Sequence, residues 1–351
     1  DYHAAMIIGA VVIIGYTIMG GFMAVSTTDL IQSIVMSIAL IIIVFYGIHI
    51  AGGWNAVMDN ARSLAGYLSM TQIHDPVSNT AAPYSMISIF SMMAWGLGYF
   101  GMPHILLRFM AIEDEKKLKL SRRVATIWVV ISLFVAVFIG VIGYTMSKVG
   151  ALEMLTGSNS ETIIVKISAL LSQHGVIFAL LAGVILAGIL ASTMSTSDSQ
   201  LLAASSAVSS DILGAFRKDS SNKNGSMAAA RITLLVISVV AAFIARNPDS
   251  SVFAIVSFAW AGFGAAFGPV VLFSLFWKRT NKWGALAGMV CGGSMVFIWK
   301  YLIRPLGGIW NIYELLPAFL IACAAIVIVS LLTPKPSKEI EEEFDRVAQM
   351  K

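Results

Sequence analysis

Charged side chains are scarce in this sequence. Only 12% of its 351 residues are Asp, Glu, Lys or Arg, whereas a soluble domain carries about 25%. Hydrophobic residues make up 58%, against roughly 45–50% in average usage. This composition excludes a disordered chain, a nucleic-acid-binding domain and most soluble enzymes, and it predicts many membrane-spanning helices.

Cysteine is scarce as well, and the sequence signatures of enzymes are missing. The two cysteines, Cys291 and Cys323, lie in apolar runs, and their spacing suggests neither a disulfide framework nor a metal cluster. The sequence shows no catalytic triad, phosphate-binding loop or metal-ligand cluster, so we expect no enzyme. The chain opens at Asp1 without Met or a signal peptide, and we expect Asp1 to follow an internal cut.

Nine apolar runs approach the ~20 residues that a membrane-spanning helix needs. They predict an all-α polytopic membrane protein with one transmembrane domain over residues 1–351, truncated at its N-terminus, and a tail at 334–351. The runs cover 4–24, 29–51, 87–111, 124–146, 175–205, 231–246, 251–277, 283–303 and 313–333.

Positive charge is distributed unevenly over the connections between these runs. If the connections alternate between two sides, fifteen Lys and Arg fall on one side and five on the other. Because Lys and Arg collect in cytoplasmic loops, the tail is predicted to be cytoplasmic and Asp1 to lie outside. The sparse loops are compatible with a bacterial inner membrane. The positive side receives 112–123, 206–230, 278–282 and the tail.

Two further segments have helical spacing without the length to span a membrane. Residues 161–173 predict a short amphipathic helix on the outer surface. In the tail, Ile340, Phe344 and Val347 share one face opposite a run of glutamates, which predicts a solvated helix resting on the protein or, alternatively, a helix that binds a partner.

The polar middle of the fifth run combines hydroxyls with a carboxylate. An ionised Asp198 in hydrocarbon costs on the order of 2.5–3.5 kcal/mol, so this residue needs a cation, a proton or a water-filled cavity. Sodium prefers oxygen ligands of this kind, although Ser and Thr also bond back to helix carbonyls or cross-link packed helices, and both interpretations stay open. The hydroxyls at i, i+3, i+4 and i+7 on one helical face are Ser192, Ser195, Thr196 and Ser199.

Two other features suggest sites. Asp29, at the start of the second run, is either an N-cap near the surface or a functional acid.

In the third run, residues 95–104 contain three glycines and a proline, which argues against a regular helix. Broken helices of this kind build solute sites in secondary transporters, with Trp95 and Tyr99 presenting aromatic faces. The small-residue stretch at 259–269 favours helix packing, with gating by Trp260 or Phe263 as an alternative.

Together these stretches resemble the sodium/solute symporter family, and within it most closely the sodium/proline symporters. The resemblance follows the whole chain in order. It implies a LeuT-like fold with a core of five-plus-five inverted repeats, of which the first three core helices would be missing here. The matching segments are 16–26, 95–106, 189–191, 194–196, 260–273 and 281–289.

The resemblance also implies a sodium site. The main sodium site of the family uses two adjacent hydroxyl residues and the carbonyl three positions before the first. These positions correspond to Ser195, Thr196 and the Ser192 carbonyl, so Na+ is the expected coupling ion.

A second cation site is implied by members that couple two sodium ions. These members pair an intramembrane Asp, which corresponds to Asp29, with hydroxyls at the positions of Asp198 and Ser199. Asp198 departs from that pattern, because it is a carboxylate where a hydroxyl is expected. It would strengthen the second cation site or accept a proton.

For the solute, the family uses Trp, Tyr and Pro on the broken helix, which correspond to Trp95, Tyr99 and Pro103. Met102 departs from the Gln of sodium/proline symporters and puts the substrate in doubt. The sequence therefore predicts sodium-coupled symport of a small solute, first of all L-proline, across a lipid bilayer. The alternatives are another amino acid, a vitamin carboxylate or a sugar acid, and, from another class, a transporter-like sensor.

Overall fold

The computed structural model describes residues 2–76, 78–216, 223–246 and 251–349, which are mostly α-helical. Asp1 and the predicted cytoplasmic cations Arg217, Lys218 and Lys351 lie outside the described residues. The helices, in chain order, are α1 (Tyr2–Ile50), α2 (Trp54–Ser63), α3 (Met86–Met93), α4 (Trp95–Gly98), α5 (Pro103–Met110), α6 (Lys117–Lys148), α7 (Ile163–Ser172), α8 (Val176–Ser206), α9 (Leu213–Phe216), α10 (Lys223–Ile244), α11 (Val252–Phe276), α12 (Lys282–Ile298), α13 (Leu315–Leu332) and α14 (Lys338–Gln349).

Seven stretches of helix in the described chain are long and apolar enough to cross a membrane, and a shorter apolar segment covers 86–101. One of them, α1, has 49 residues. At 1.5 Å per residue this helix would be about 74 Å long, more than twice the ~30 Å of a hydrocarbon core. The nine predicted runs therefore map onto these elements only if α1 supplies two of them.

A break at Gly21 divides α1. Its φ of 59° and ψ of −161° lie outside the helical region, at a backbone conformation that glycine adopts without strain. On α8, Gly188 packs against Ala39, and Asp198 is bonded to Tyr16. Gly188 and Asp198 are about 15 Å apart along α8. Their partners on α1, Ala39 and Tyr16, would be about 35 Å apart if α1 were straight. The two halves of α1 are therefore sharply bent against each other.

The predicted boundary in this region is wrong in detail. Residues 25–28 were expected to connect two runs, but they are helical. Asp29 accordingly lies inside the second half of α1 and does not cap it. The adjacent glycines Gly20 and Gly21 indicate the position of the break better than the polar residues that follow. Thr27 and Thr28 bond back to carbonyls of their own helix and therefore do not interrupt it.

The chain divides into two compact units. The first unit contains the described residues of 1–82 and 112–249. Its core lies where α1, α6, α7 and α8 meet, around Ile43, Ile142, Ile167 and Ile185. The predicted amphipathic helix at 161–173 is α7, and its apolar face joins this core. Two strands, β1 (Gln72–Asp75) and β2 (Thr80–Pro83), pair in a small sheet that the sequence analysis did not predict.

The second unit contains the described residues of 83–111 and 250–351. Its core is built from α11, α12 and α13, with fully buried small residues such as Ala261, Ala265 and Ala318. Three glycines of α12, four residues apart, let the helices approach closely, because a Cβ there would overlap its neighbours. They are Gly284, Gly288 and Gly292.

At one end of this unit, the 278–282 connection meets the tail. Lys278 pairs with Asp345 of α14 at 2.5 Å, and Arg279 and Asn281 donate to the backbone after α13. Two segments that the charge distribution assigns to the same side therefore lie together. The α14 helix is confirmed, with Ile340 and Val347 exposed on its apolar face.

Gly292→Ala is expected to lower the thermal unfolding midpoint of the intact protein. The new methyl group would lie 2.2 Å from the Ala265 carbonyl oxygen, and overpacking of this kind costs about 1–3 kcal/mol. Gly293→Ala is the matched control, because its Cβ would lie 3.8 Å from the nearest atom. Equal midpoints for both variants would contradict this packing of α11 against α12.

Candidate functional site

The hydroxyl-rich face of α8 brings three oxygens together. Ser195 Oγ and Thr196 Oγ1 both donate to the Ser192 carbonyl, at 3.1 and 3.2 Å. Hydroxyls that donate in this way keep lone pairs free for a hard cation. Within one helical turn, the described chain thus presents three oxygen ligands on short side chains and backbone.

Asp198 lies one turn further along α8 and is fully buried, with 0% of its surface exposed. Tyr16 donates its hydroxyl to Asp198 Oδ2 at 2.7 Å, and Ser199 Oγ lies 3.3 Å from Oδ1. Among the residues that the structure describes, no Lys or Arg forms an ion pair with this carboxylate. Hydroxyl donors satisfy its hydrogen bonds without a positive charge beside it.

Asp29 belongs to the same region of the first unit. It lies on the second half of α1, the half whose Ala39 packs against Gly188 of α8. Of the three residues predicted for a second cation site, Asp198 and Ser199 contact each other beside Tyr16, and Asp29 lies on the helix that packs against α8. The sequence analysis did not name Tyr16 as a site residue, although it opens the first segment that resembles the family.

The predicted break in the third apolar run is confirmed. After α3 and the short α4, a 3-10 turn covers Tyr99–Gly101, and Met102 is extended at φ −81° and ψ 110°. Helix α5 then starts at Pro103. A residue before proline prefers this extended conformation, so Pro103 explains where the helix stops.

Trp260 of α11 holds the broken segment in place. Its Nε1–H donates to the Trp95 carbonyl at 2.9 Å, which ties the indole to the start of α4. The Tyr99 ring meets Trp260 edge-on at 4.8 Å, and the Trp95 ring stacks on Trp260 at 5.9 Å. Sequence analysis assigned Trp260 to packing or gating, whereas the structure gives it direct contact with two predicted solute residues.

Glycines make this contact possible. A Cβ at Gly98 would lie 1.9 Å from Trp260 Nε1, and one at Gly264 would lie 2.7 Å from the Gly98 Cα atom. Both distances are far below any real Cβ contact. The glycines of the third and seventh runs therefore allow the broken segment to lie directly on α11.

The predicted solute residues differ in their accessibility. Tyr99 is 50% exposed, and Trp95 and Pro103 are half-buried, so these three offer surface to a ligand. The Met102 side chain is 4% exposed, and the clearest contribution of this residue is its extended backbone.

The chemistry of these two regions is that of binding. Within the described chain, no group of three or more His, Cys, Asp or Glu side chains could hold a metal ion. What the described residues offer is a set of oxygen ligands of the kind that suits a hard monovalent cation, and an aromatic surface beside a broken helix. A helical membrane protein with these features belongs to the class of secondary transporters.

The family model of the sodium:solute symporter family matches residues 1–292. The chain belongs to this family, and it is a transporter rather than an enzyme. It lies in the membrane as a multi-pass protein.

Curated relatives include proline transporters of several bacteria. The chain is 37% identical to the sodium/proline symporter of Haemophilus influenzae, over 99% of this chain and 67% of the relative. It is 37% identical to the high-affinity proline transporter PutP of Bacillus subtilis, over 98% and 68%. It is 38% identical to the sodium/proline symporter of Salmonella typhimurium, over 98% and 65%. The chain thus spans about two thirds of the length of these relatives.

A solved structure supports the fold. A Na+-coupled sialic acid symporter, in a substrate-bound outward-open state, matches with a TM-score of 0.72 at 18% identity. The match covers 96% of this chain and 68% of that one. The predicted all-α, LeuT-like fold is confirmed.

Tyr16→Phe is expected to destabilise the intact protein, because it removes a hydrogen bond to a buried carboxylate. Bonds to charged groups contribute about 1.5–3 kcal/mol. Tyr2→Phe is the control, since Tyr2 is exposed and its hydroxyl donates to the Ala245 carbonyl. Thermal unfolding in detergent should show a lower midpoint for Tyr16→Phe alone, and equal midpoints would contradict the role of Tyr16.

Proposed function

We propose that the protein containing this chain carries out sodium-coupled symport of L-proline by alternating access. The observation that carries the proposal is the broken helix at Met102, where Trp95 and Tyr99 are held by Trp260. It occurs in a chain that is 37–38% identical to bacterial proline transporters. Because the chain spans about two thirds of those relatives, the activity belongs to the whole protein.

Sodium binds first in this proposal. Its ligands in the chain are the Ser195 and Thr196 hydroxyls and the Ser192 carbonyl, and each hydroxyl oxygen already lies within hydrogen-bond distance of that carbonyl oxygen. When sodium takes these lone pairs, it stabilises an outward-open state that completes the solute pocket. The described residues supply part of the coordination shell, since a hard cation prefers six or more oxygen ligands.

Solute binds next at the broken helix. L-Proline is a small zwitterion with an apolar ring and a secondary ammonium. The Trp95 and Tyr99 rings suit both parts, because aromatic faces pack against the apolar ring and attract a cation within about 6 Å. Rocking of one bundle against the other then opens the site to the inside.

The driving force is sufficient for concentrative uptake. One sodium ion moving down 100 mV contributes ~2.3 kcal/mol, and a tenfold concentration gradient adds ~1.4 kcal/mol. Together these support a few-hundred-fold accumulation of the solute. Two coupled sodium ions would square that ratio.

The same proposal includes the orientation of the chain. We place the tail at 334–351 in the cytoplasm, as part of a single transmembrane domain in a bacterial inner membrane. The charge distribution and the contact between Lys278 and the tail helix support this orientation.

Ser195→Ala and Thr196→Ala are each expected to raise the sodium concentration for half-maximal L-proline uptake at least tenfold, because each removes a ligand worth about 1.4 kcal/mol or more. Uptake into proteoliposomes under an inward sodium gradient, against an equal potassium gradient, measures this. Thr193→Ala is the control, since Thr193 lies off this face and bonds back to Ile189. Equal sodium dependence in all three variants would exclude this site.

We further propose Asp29, Asp198 and Ser199 as a second cation site. Two acidic groups in one region with Asp198 fully buried favour a bound cation. The reversal potential of uptake in the intact protein is then expected to report two sodium ions per solute, and Asp198→Asn to report one. A ratio of one in the unmodified protein would refute the second site.

A different cargo is the second candidate, motivated by Met102 in place of Gln. A competition panel of amino acids, vitamin carboxylates and sugar acids against labelled L-proline separates the two candidates. Sodium-dependent transport of another solute without proline binding would replace proline and keep the symporter.

A further inference from the structure

Tyr313 has no assigned role in the proposed solute site, but it contacts Trp95, which has one. It lies in the connection between α12 and α13, close to the start of α13. Its ring stacks on the Trp95 ring at 5.8 Å with an interplanar angle of 16°. Its backbone N–H donates to Ser91 Oγ of α3 at 2.9 Å, and its hydroxyl donates to the Ser257 carbonyl of α11 at 2.5 Å. Tyr313 therefore joins the broken helix to α11.

The next residue fixes this connection in place. Glu314 is 1% exposed, and its carboxylate pairs with Arg304 at 2.8 Å and with Lys300 at 3.9 Å. Arg304 also donates to Asn311 within the same connection. The Lys300 ammonium lies 3.8 Å from the centre of the Phe258 ring. A buried carboxylate between two cations is costly to displace, so the backbone at Tyr313 has little freedom.

We infer that Tyr313 is a positioning residue for the solute site, which holds the Trp95 ring in one orientation from a connection that Glu314 locks. The inference rests on the proposed function for its link to the solute. Its physical basis is the stacking of the Tyr313 ring on the Trp95 ring.

The geometry explains why Trp95 needs such a partner. Trp95 is the first residue of α4, separated from the end of α3 by one residue, and its side chain is half-buried. Trp260 fixes the Trp95 carbonyl, whereas ring orientation depends on stacking with Phe253, Trp260 and Tyr313. Of these three contacts, the Tyr313 ring is the closest to parallel, and Tyr313 is itself buried. Loss of the Tyr313 ring would free one face of Trp95.

The test measures labelled L-proline uptake by the complete protein in proteoliposomes. Tyr313→Leu is expected to raise KM about tenfold, or about 1.4 kcal/mol, with little change in Vmax, because the site is less ordered but the transport cycle is intact. Tyr313→Phe keeps the ring and should restore KM to near the unmodified value. Tyr301→Leu is the matched control, since Tyr301 lies in the same region of the chain, is 60% exposed and makes no aromatic contact with Trp95.

A double-mutant cycle tests whether Tyr313 acts through Trp95. Adding Tyr313→Leu to Trp95→Leu should cause little further rise in KM, because the ring that Tyr313 positions is already absent. Additive effects would overturn the inference, as would a KM for Tyr313→Leu equal to that of Tyr301→Leu.

A readout without solute separates this inference from the proposed function. Amide hydrogen exchange of residues 95–101 should be faster in Tyr313→Leu and unchanged in Tyr301→Leu. If the unmodified protein takes up no proline, faster exchange still supports the positioning role, and unchanged exchange refutes it. Should Tyr313→Leu fail to fold, Ser91→Ala loosens Tyr313 at its backbone without touching its ring, and it should show the same change to a smaller degree.

Discussion

The structure depends on one constraint, which is that a backbone group at membrane depth must find its hydrogen bond inside the protein. At a broken helix, side chains of neighbouring helices can supply additional hydrogen bonds to the backbone. Here Trp260 donates its indole N–H to the Trp95 carbonyl, and Gly98 leaves room for the indole to reach it. The aromatic surface beside the break follows from the same contact, since the residue that satisfies the backbone also stacks on Trp95 and Tyr99.

Small residues make this arrangement possible throughout both units. Apolar side chains gain little by leaving lipid for another helix, so association depends on close packing. In the first unit, Gly188 lies against Ala39 of α1, and in the second, Gly292 lies against the Ala265 backbone. Close approach brings backbones and short side chains within reach of each other, which is why hydroxyls and carbonyls rather than long charged side chains form the candidate ion site.

Features that depend on neighbouring residues in the sequence could be predicted. Features that depend on contacts between distant residues could not. Helix spans follow from hydropathy, and the break follows from Pro103 and its neighbouring glycines. The bend at Gly21 was misplaced, because Thr27 and Asp29 resemble a helix start, whereas the helix continues through both and Thr27 bonds back to the Met23 carbonyl. Tyr16 and Tyr313 were not predicted as site residues, since each becomes relevant only through a partner more than 180 residues away. The grouping of Asp198 with Tyr16 required the fold.

Two buried carboxylates show how the environment of a charge indicates its role. Glu314 is paired with Arg304 and Lys300, so its charge is compensated within the described chain and its effect is structural. Asp198 is buried to the same degree, but the described chain surrounds it with the hydroxyls of Tyr16 and Ser199. Hydroxyls orient a carboxylate without neutralising it. A fixed pair such as that of Glu314 has no need of a mobile ion, whereas in the second cation site proposed above the carboxylate of Asp198 would be completed by a cation that binds and leaves, as coupling to an ion gradient requires.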